Sequence, residues 1–311
     1  MGKIAFVFAG QGAQYKGMGR DLYENSPAAR EIFEMAESLH LGTKSLCFEI
    51  ENEELSITKN TQPALFAMDL ACAAALEEAG IRADCAAGFS LGEVPAVAYA
   101  GLLSKESAFC YVVKRGYYMH KAATETHGAM AAVLRLTNEQ VEALCLEFSR
   151  MYPVNYNCPG QVAVAGAADE MDAFIKRVTE LGGKAVKLAV SGAFHSPFMR
   201  PAAESLYVEL QNYRFSEPRI PVYSNVTAQP YELEKAAKLM ADQVKSPVKW
   251  EQTVRNMIAD GVTVFIEVGA GKVLNGLIKK TAPGTLVFNA EKHTDIQSIK
   301  LALKELGISC C

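Results

Sequence analysis

Gly88-Phe89-Ser90-Leu91-Gly92 has the form Gly-x-Ser-x-Gly, and it stands between the apolar run Cys85 to Ala87 and an alanine-rich helical segment. Strand, sharp turn and helix are the setting of a nucleophile elbow, in which the serine oxygen is exposed at a helix N-terminus. Unpaired N–H groups and the helix dipole there can stabilise an oxyanion. A plain strand-to-helix turn that happens to hold a serine reads the same way, so the pattern needs partners. His195 lies in Ser191-Gly192-Ala193-Phe194-His195-Ser196-Pro197, a loop at a change of pattern, and is a candidate base. A surface or packing histidine is the alternative. Arg115 lies in an apolar helical run, Phe109 to Met119, where a guanidinium calls for an anionic partner such as a substrate carboxylate. Lys114 has similar neighbours, and periodicity alone does not choose between them; snorkelling to solvent is the other reading of Arg115. Asp242-Gln243-Val244-Lys245-Ser246-Pro247 by itself marks only a helix end before a proline.

The elements that must position these residues read as follows. Lys3 to Ala9 is a buried strand, and Pro27 to Leu39 a helix capped by Ser26. Pro63 to Ala79 is a helix starting near Thr61 and ending at Gly80. The elbow comes next, with a helix from about Gly92 and another over Ser104 to Thr124. From Ala129 the order changes to strand (Ala129 to Leu134), helix (Thr137 to Phe148), two strands (Tyr152 to Tyr156, Gln161 to Gly166), helix (Ala168 to Leu181) and strand (Ala185 to Val190). This βαββαβ order is that of a ferredoxin-like unit. After His195, helices (Pro197 to Leu210, Tyr231 to Val244, Trp250 to Asp260, Val273 to Lys280, Thr294 to Leu306) alternate with strands at Ile220 to Ser224, Val262 to Val268 and Thr285 to Phe288. The expected fold is therefore α/β: a mainly parallel sheet with helices on both faces, plus an inserted ferredoxin-like subdomain. Residues 1–126 and 196–311 form the large unit and 127–195 the small one, with a ligand cleft expected between them.

A length of 311 residues suits such an arrangement, and 50% hydrophobic with 21% charged residues is ordinary for a soluble globular chain. The net charge of −4 argues against nucleic acid. No run is long and apolar enough for a bilayer, and Met1 to Ala9 lacks a signal-peptide pattern, so the chain reads as cytoplasmic. Eight cysteines fall in no C-x-x-C pair and read as small core residues, with Cys310-Cys311 a frayed tail. No histidines are paired at metal-ligand spacing, so no metal is expected. Gly10-Gln11-Gly12-Ala13-Gln14-Tyr15 begins like a dinucleotide fingerprint but ends on a bulky tyrosine. Gly269-Ala270-Gly271-Lys272-Val273 hints at a P-loop but lacks the leading glycine and the Ser/Thr.

Taken together, nine segments in order resemble the malonyl-CoA:acyl carrier protein transacylase family over essentially the whole chain, and the resemblance implies a hydrolase-like α/β core with an inserted ferredoxin-like subdomain. They are Phe8 to Gln14, Thr61 to Ala64, Gly88 to Glu93, Arg115-Gly116, Gly128 to Val133, Asn157 with Pro159 to Gln161, Gly192 to Pro197, Ser246 to Trp250 and Glu267 to Leu274. The resemblance implies Ser90 as nucleophile, His195 as base, and the backbone carbonyl of Gln243 as the group orienting the imidazole. It implies an oxyanion hole from the N–H groups of Gln11 and Leu91, and a malonyl-carboxylate clamp at Arg115. Phe194 would exclude a methyl-branched acyl group, and Asn157 would contact the pantetheine arm. The implied substrates are malonyl-CoA and an acyl carrier protein, with no metal or redox cofactor and no membrane or nucleic-acid partner. The implied role is supply of malonyl groups to fatty acid elongation. Lys176, Arg177, Lys184, Lys187, Lys272, Lys279 and Lys280 are candidates for receiving an acidic carrier. Phe89 departs from the pattern, since the family usually has His before the nucleophile. A serine hydrolase using the same elbow, an acyltransferase serving a polyketide carrier, and a carrier-binding protein with a decayed site are the rival readings.

Overall fold

A computed structural model describes residues 2–308; the Cys310-Cys311 tail lies outside them. Two sheets organise the chain. The larger has five parallel strands in the order β7-β2-β1-β8-β9, where β1 is Lys3–Phe8, β2 Cys85–Gly88, β7 Val222–Tyr223, β8 Val262–Val268 and β9 Leu286–Ala290. β1 and β8 read as nearly unbroken apolar runs because helices cover both faces of a parallel sheet. One face carries the large core cluster around Phe6, Phe8, Phe66 and Phe109; the other carries Val7, Trp250, Val254 and Phe265. The smaller sheet is antiparallel, order β4-β5-β3-β6, from β3 Gly128–Leu134, β4 Met151–Cys158, β5 Gln161–Ala167 and β6 Lys184–Lys187. Helices Asn138–Cys145 and Ala168–Glu180 cover one of its faces through Val141, Leu144, Met171 and Phe174. Its opposite face contributes Met130, Val154, Ala163 and Ala165 to the large core. The β4 edge is also joined to the loop before helix Trp250–Ala259: Val248 donates to Val154 and accepts from Tyr156.

Local chemistry accounts for the boundaries. Ser26 caps Pro27–Leu39 by accepting from Ala29 N–H, and Thr137 with Gln140 forms a capping box on the first helix of the small unit. Several elements differ from the sequence expectation. The helix expected from Pro63 begins at Thr58 and runs to Glu78, so Pro63 sits inside it. The Tyr231 to Val244 segment is broken into the short 3₁₀ turn Leu233–Lys235, the α-helix Ala236–Asp242 and the 3₁₀ turn Gln243–Lys245. That final turn matters to the site, because it frees the Gln243 carbonyl from an α-helical ladder. Likewise Pro197–Met199 is 3₁₀ before helix Arg200–Leu210, and β6 stops at Lys187, short of Val190.

Candidate active site

β1 and β2 lie side by side in parallel register, Phe8 opposite Gly88, so the loops after their C-terminal ends converge. This is where open parallel sheets place ligands. After β2 the chain turns through Ser90, held in the left-handed region at φ 53°, into a 3₁₀ turn and helix Glu93–Ala100. The turn demands glycine on both sides. A Cβ on Gly88 would lie 1.9 Å from the Gly92 carbonyl carbon, and one on Gly92 would lie 2.2 Å from the Phe8 oxygen. A strained, non-glycine φ at the serine persists only because its surroundings over-determine it.

His195 approaches from the segment that leaves the small sheet. Its Nε2 is 2.7 Å from Ser90 Oγ, and its Nδ1 lies 2.9 Å from the Gln243 carbonyl oxygen. A backbone bond from His195 N–H to Val244 fixes the ring's base, with His195 also in the left-handed region at φ 61°. Nδ1–H donating to Gln243 leaves Nε2 free to accept the serine proton. Burial, reinforced by the nearby Arg115 charge and opposed by backbone hydrogen bonds, pushes the imidazole down to about 4. It is therefore neutral, and able to act as a base, throughout the physiological range.

Arg115 and Lys114 are told apart by the packing of helix Lys105–Glu125. Arg115 is buried, whereas Lys114 is half exposed and pairs loosely with Glu209 at 3.8 Å. Arg115 Nη1 donates to Gln62 Oε1 and Nη2 to Gln243 Oε1, both at 2.8 Å, and Nη2 also lies 3.5 Å from Ser90 Oγ. Its Nε has no partner among the described residues. Neutral amides thus hold a buried cation in place without neutralising it. Each such bond contributes about 1.5–3 kcal/mol, while an unpaired buried ion costs several kcal/mol. The balance leaves the guanidinium suited to an incoming carboxylate.

A cavity of about 110 Å³ collects these groups, lined by Gln11, Ser90, Leu91, Arg115, Phe194 and His195 among others. Gln11 follows β1 and Leu91 follows Ser90, so both oxyanion candidates sit at this wall. Phe194 adds an apolar surface beside Met119, Met130 and Val190. Asn157 is not in this cavity. It lines an adjoining one of about 280 Å³, together with Gly10, Gly12, Gln161, Glu267 and Leu274, and its buried Oδ1 has no partner among the described residues. The two cavities share Gln11, Phe89, Asn155 and Leu188. Phe89 stands at that junction and packs edge-on against Trp250, with centroids 5.7 Å apart.

Several residues of the site escaped sequence reasoning. Gln62 grips Arg115, Asn225 bonds the Ser90 backbone, and Glu93 accepts from Asn225 and from the Tyr231 hydroxyl. Gln62 and Glu93 fell within matched segments, but nothing in the spacing predicted their bonds. Among the described residues no group of three or more His, Cys, Asp or Glu side chains is arranged to hold a metal ion, and no helix is long and apolar enough to cross a membrane.

A Ser–His–carbonyl array at the C-terminal ends of a parallel sheet, with a buried guanidinium beside the serine, has the geometry of a serine acyltransferase class of site on an α/β hydrolase-like fold. The profile of the acyl transferase domain matches residues 5–300. The chain is 41% identical to the malonyl CoA-acyl carrier protein transacylase of Bacillus subtilis, over 98% of each. It superposes on the crystal structure of the malonyl CoA-acyl carrier protein transacylase from Clostridium perfringens with a TM-score of 0.95 at 35% identity, covering 98% of both chains. A malonyl-transacylase in complex with a type II PKS acyl-carrier protein matches with a TM-score of 0.92 at 33% identity, covering 96% of this chain and 99% of that one. The chain belongs to the malonyl CoA-acyl carrier protein transacylase family.

Proposed function

We propose that this protein moves a malonyl group from malonyl-CoA to the phosphopantetheine thiol of an acyl carrier protein through a malonyl-serine ester, supplying fatty acid elongation. The observation that carries this reading is a serine hydroxyl 2.7 Å from a neutral imidazole and 3.5 Å from a guanidinium that no carboxylate neutralises directly. Ser90 Oγ attacks the thioester carbonyl as its proton passes to His195 Nε2. The N–H groups of Gln11 and Leu91 hold the oxyanion. Collapse breaks the C–S bond, and the CoA thiolate leaves with the proton returned by His195. The carrier thiol then gives its proton to His195 and attacks the ester carbonyl, and Ser90 Oγ leaves as the hydroxyl. The Gln243 carbonyl keeps the imidazole in the required tautomer. Arg115 clamps the malonyl carboxylate, its fork matching the two oxygens. Phe194 narrows the acyl cavity, favouring malonyl over methylmalonyl, and Asn157 contacts the pantetheine arm in the adjoining cavity. No step requires a metal or redox group.

The site then lies between a large unit, residues 1–126 and 196–311, and a small one, 127–195. The acidic carrier is received by the exposed lysines Lys272, Lys279 and Lys280, at or on the helix whose Val273, Leu274 and Leu277 line the second cavity, rather than by Arg177 and Lys187, which are paired with Glu147, Glu180 and Asp172. The chain works in the cytoplasm. Intact-mass spectrometry after brief mixing with malonyl-CoA, without carrier, tests the mechanism. A malonyl-sized adduct on the wild type that is absent from Ser90→Ala is expected. Steady CoA release with no adduct would instead make the protein a hydrolase, and neither adduct nor release would leave it a binding protein.

A further inference from the structure

We propose that Asn225 is the positioning residue of the nucleophile elbow, clasping Ser90 in its left-handed conformation and tying it to the residue that orients His195. The inference rests on Ser90 being the nucleophile. Asn225 is fully buried and stands just beyond β7, the edge strand whose register places Tyr223 opposite Ala87 at the end of β2. Two residues further along each strand, the chain reaches Asn225 and Phe89, so the Asn225 side chain arrives beside the elbow. Its Oδ1 accepts the Ser90 N–H at 2.8 Å, and its Nδ2 donates to the Gly88 carbonyl at 2.6 Å. Together these bonds bracket Phe89 and satisfy both peptide groups that the sharp turn removes from the sheet ladder.

The clasp is reciprocal. The Asn225 backbone N–H donates to Glu93 Oε2 at 2.6 Å, and Glu93 opens the helix that follows the elbow. Glu93 is itself held by the Tyr231 hydroxyl. Asn225 therefore grips the turn with its side chain, while the first turn of the helix grips the Asn225 backbone. Oδ1 also accepts from Gln243 Nε2 at 3.2 Å, and that same amide donates to the Ser90 carbonyl at 2.6 Å. One oxygen thus meets the nucleophile's N–H and the side chain of the residue whose carbonyl holds His195 Nδ1. Finally, the Asn225 carbonyl accepts from Lys249 N–H, beside the Val248 contact to the small sheet. No other side chain bonds the elbow's backbone on both sides of Phe89 in this way among the described residues.

Loss of this clasp lets the serine relax toward an ordinary backbone conformation and shifts Oγ relative to Nε2, while Arg115, Gln62 and the acyl cavity remain. The expected signature is a slow chemical step with intact binding. Quenched-flow intact-mass measurement of Ser90 malonylation is the test, on wild type, Asn225→Ala and Asn225→Asp. For Asn225→Ala the rate constant should fall about 100-fold, as small misplacement of reacting groups does. The final adduct should still reach one malonyl per chain, and the half-saturating malonyl-CoA concentration should stay within about twofold of wild type. A wild-type rate constant with only a lower adduct yield or melting temperature would make Asn225 a stability residue and overturn the proposal. If Asn225→Ala does not fold, Asn225→Asp carries the test. It keeps volume and acceptor but loses the donor to Gly88, and should slow malonylation roughly tenfold; a wild-type rate there overturns the proposal equally. Wild type that forms no adduct at all would remove the nucleophile assignment itself, whereas adduct formed equally fast by wild type and both variants removes only the role of Asn225.

Discussion

At the scale of the residue, the site is marked by a cation kept buried without a direct anionic partner. Gln62 and Gln243 hold Arg115 by its two terminal nitrogens, so the side chain is fixed in one orientation and, under the proposed clamp role, little ordering remains for binding. Arg115→Ala should lower kcat/KM for malonyl-CoA by about 100-fold or more, the 3 kcal/mol range of a charge-assisted pair, and leave acetyl-CoA nearly unaffected. Competition between the two thioesters measures this, and a variant that still prefers malonyl would take the clamp away from Arg115. Ser90 could be picked out of the sequence by its flanking Gly88 and Gly92, while His195 and Arg115 stood there only as candidates, Arg115 level with Lys114, until packing buried one and exposed the other. Asn225 could not: its partner Ser90 is 135 residues away, and an Asn near a strand end is ordinary in any loop. The Gln243 carbonyl is a still harder case, since a backbone acceptor carries no residue signature and became visible only through family resemblance.

At the scale of the element, the elbow is a packing solution as much as a catalytic one. Gly88 and Gly92 are mutually in contact, so a methyl on Gly88 has no space: it would meet backbone rather than a movable side chain. Gly88→Ala should therefore destabilise the protein by about 3 kcal/mol or more. Gly160→Ala meets nothing within 4 Å and has only its φ of +72° against it, so about 1 kcal/mol is expected. Urea midpoints of the two variants check the contrast, and equal losses would mean the elbow tolerates a side chain. Long helices and buried strands were legible because period and capping agree, as at Ser26 and Ser104. Helices Arg20–Asn25, Thr43–Phe48 and Asn52–Leu55 were not. None has a side-chain cap bond, and the first two follow Gly19 and Gly42 in the left-handed region, so glycine there starts a helix where a reader expects a stop. Pro63 misled for a related reason: proline is commonest at a helix start, but here the unbroken burial of residues 61–73 within the Thr58–Glu78 helix outweighs its missing N–H.

At the scale of the whole molecule, a buried carboxyl joins the central sheet to the wall of the second cavity. Glu267 on β8 accepts from Leu274 and Asn275 N–H at 2.9 and 2.7 Å, capping helix Val273–Thr281 from beneath. Burial outweighs those bonds and pushes its carboxyl up to about 7. The folded state therefore holds this proton where the unfolded chain, near 4.5, has released it. The resulting stabilisation is complete below about 4.5 and is lost as pH rises through about 7. His195 acts in the opposite sense, its folded value lying below the unfolded one, so the Glu267 contribution is isolated by difference. Wild type should gain stability relative to Glu267→Gln as pH falls through this window, by at most about 1.4 kcal/mol per pH unit. Denaturant unfolding of both proteins across the window measures it, and parallel curves would show Glu267 ionised throughout.

The edge contact between Phe89 and Trp250 has an optical consequence. Trp250 is the only tryptophan in the chain, and it is fully buried. All indole fluorescence therefore arises from one point beneath the junction of the two cavities, one aromatic ring away from the turn that holds Ser90. An acyl group or carrier arm that displaces Phe89 changes the surroundings of the sole emitter. Under the proposed function, emission from Trp250 should therefore report occupancy of the two cavities without a label, and should shift to longer wavelength when the core under the elbow is exposed to water.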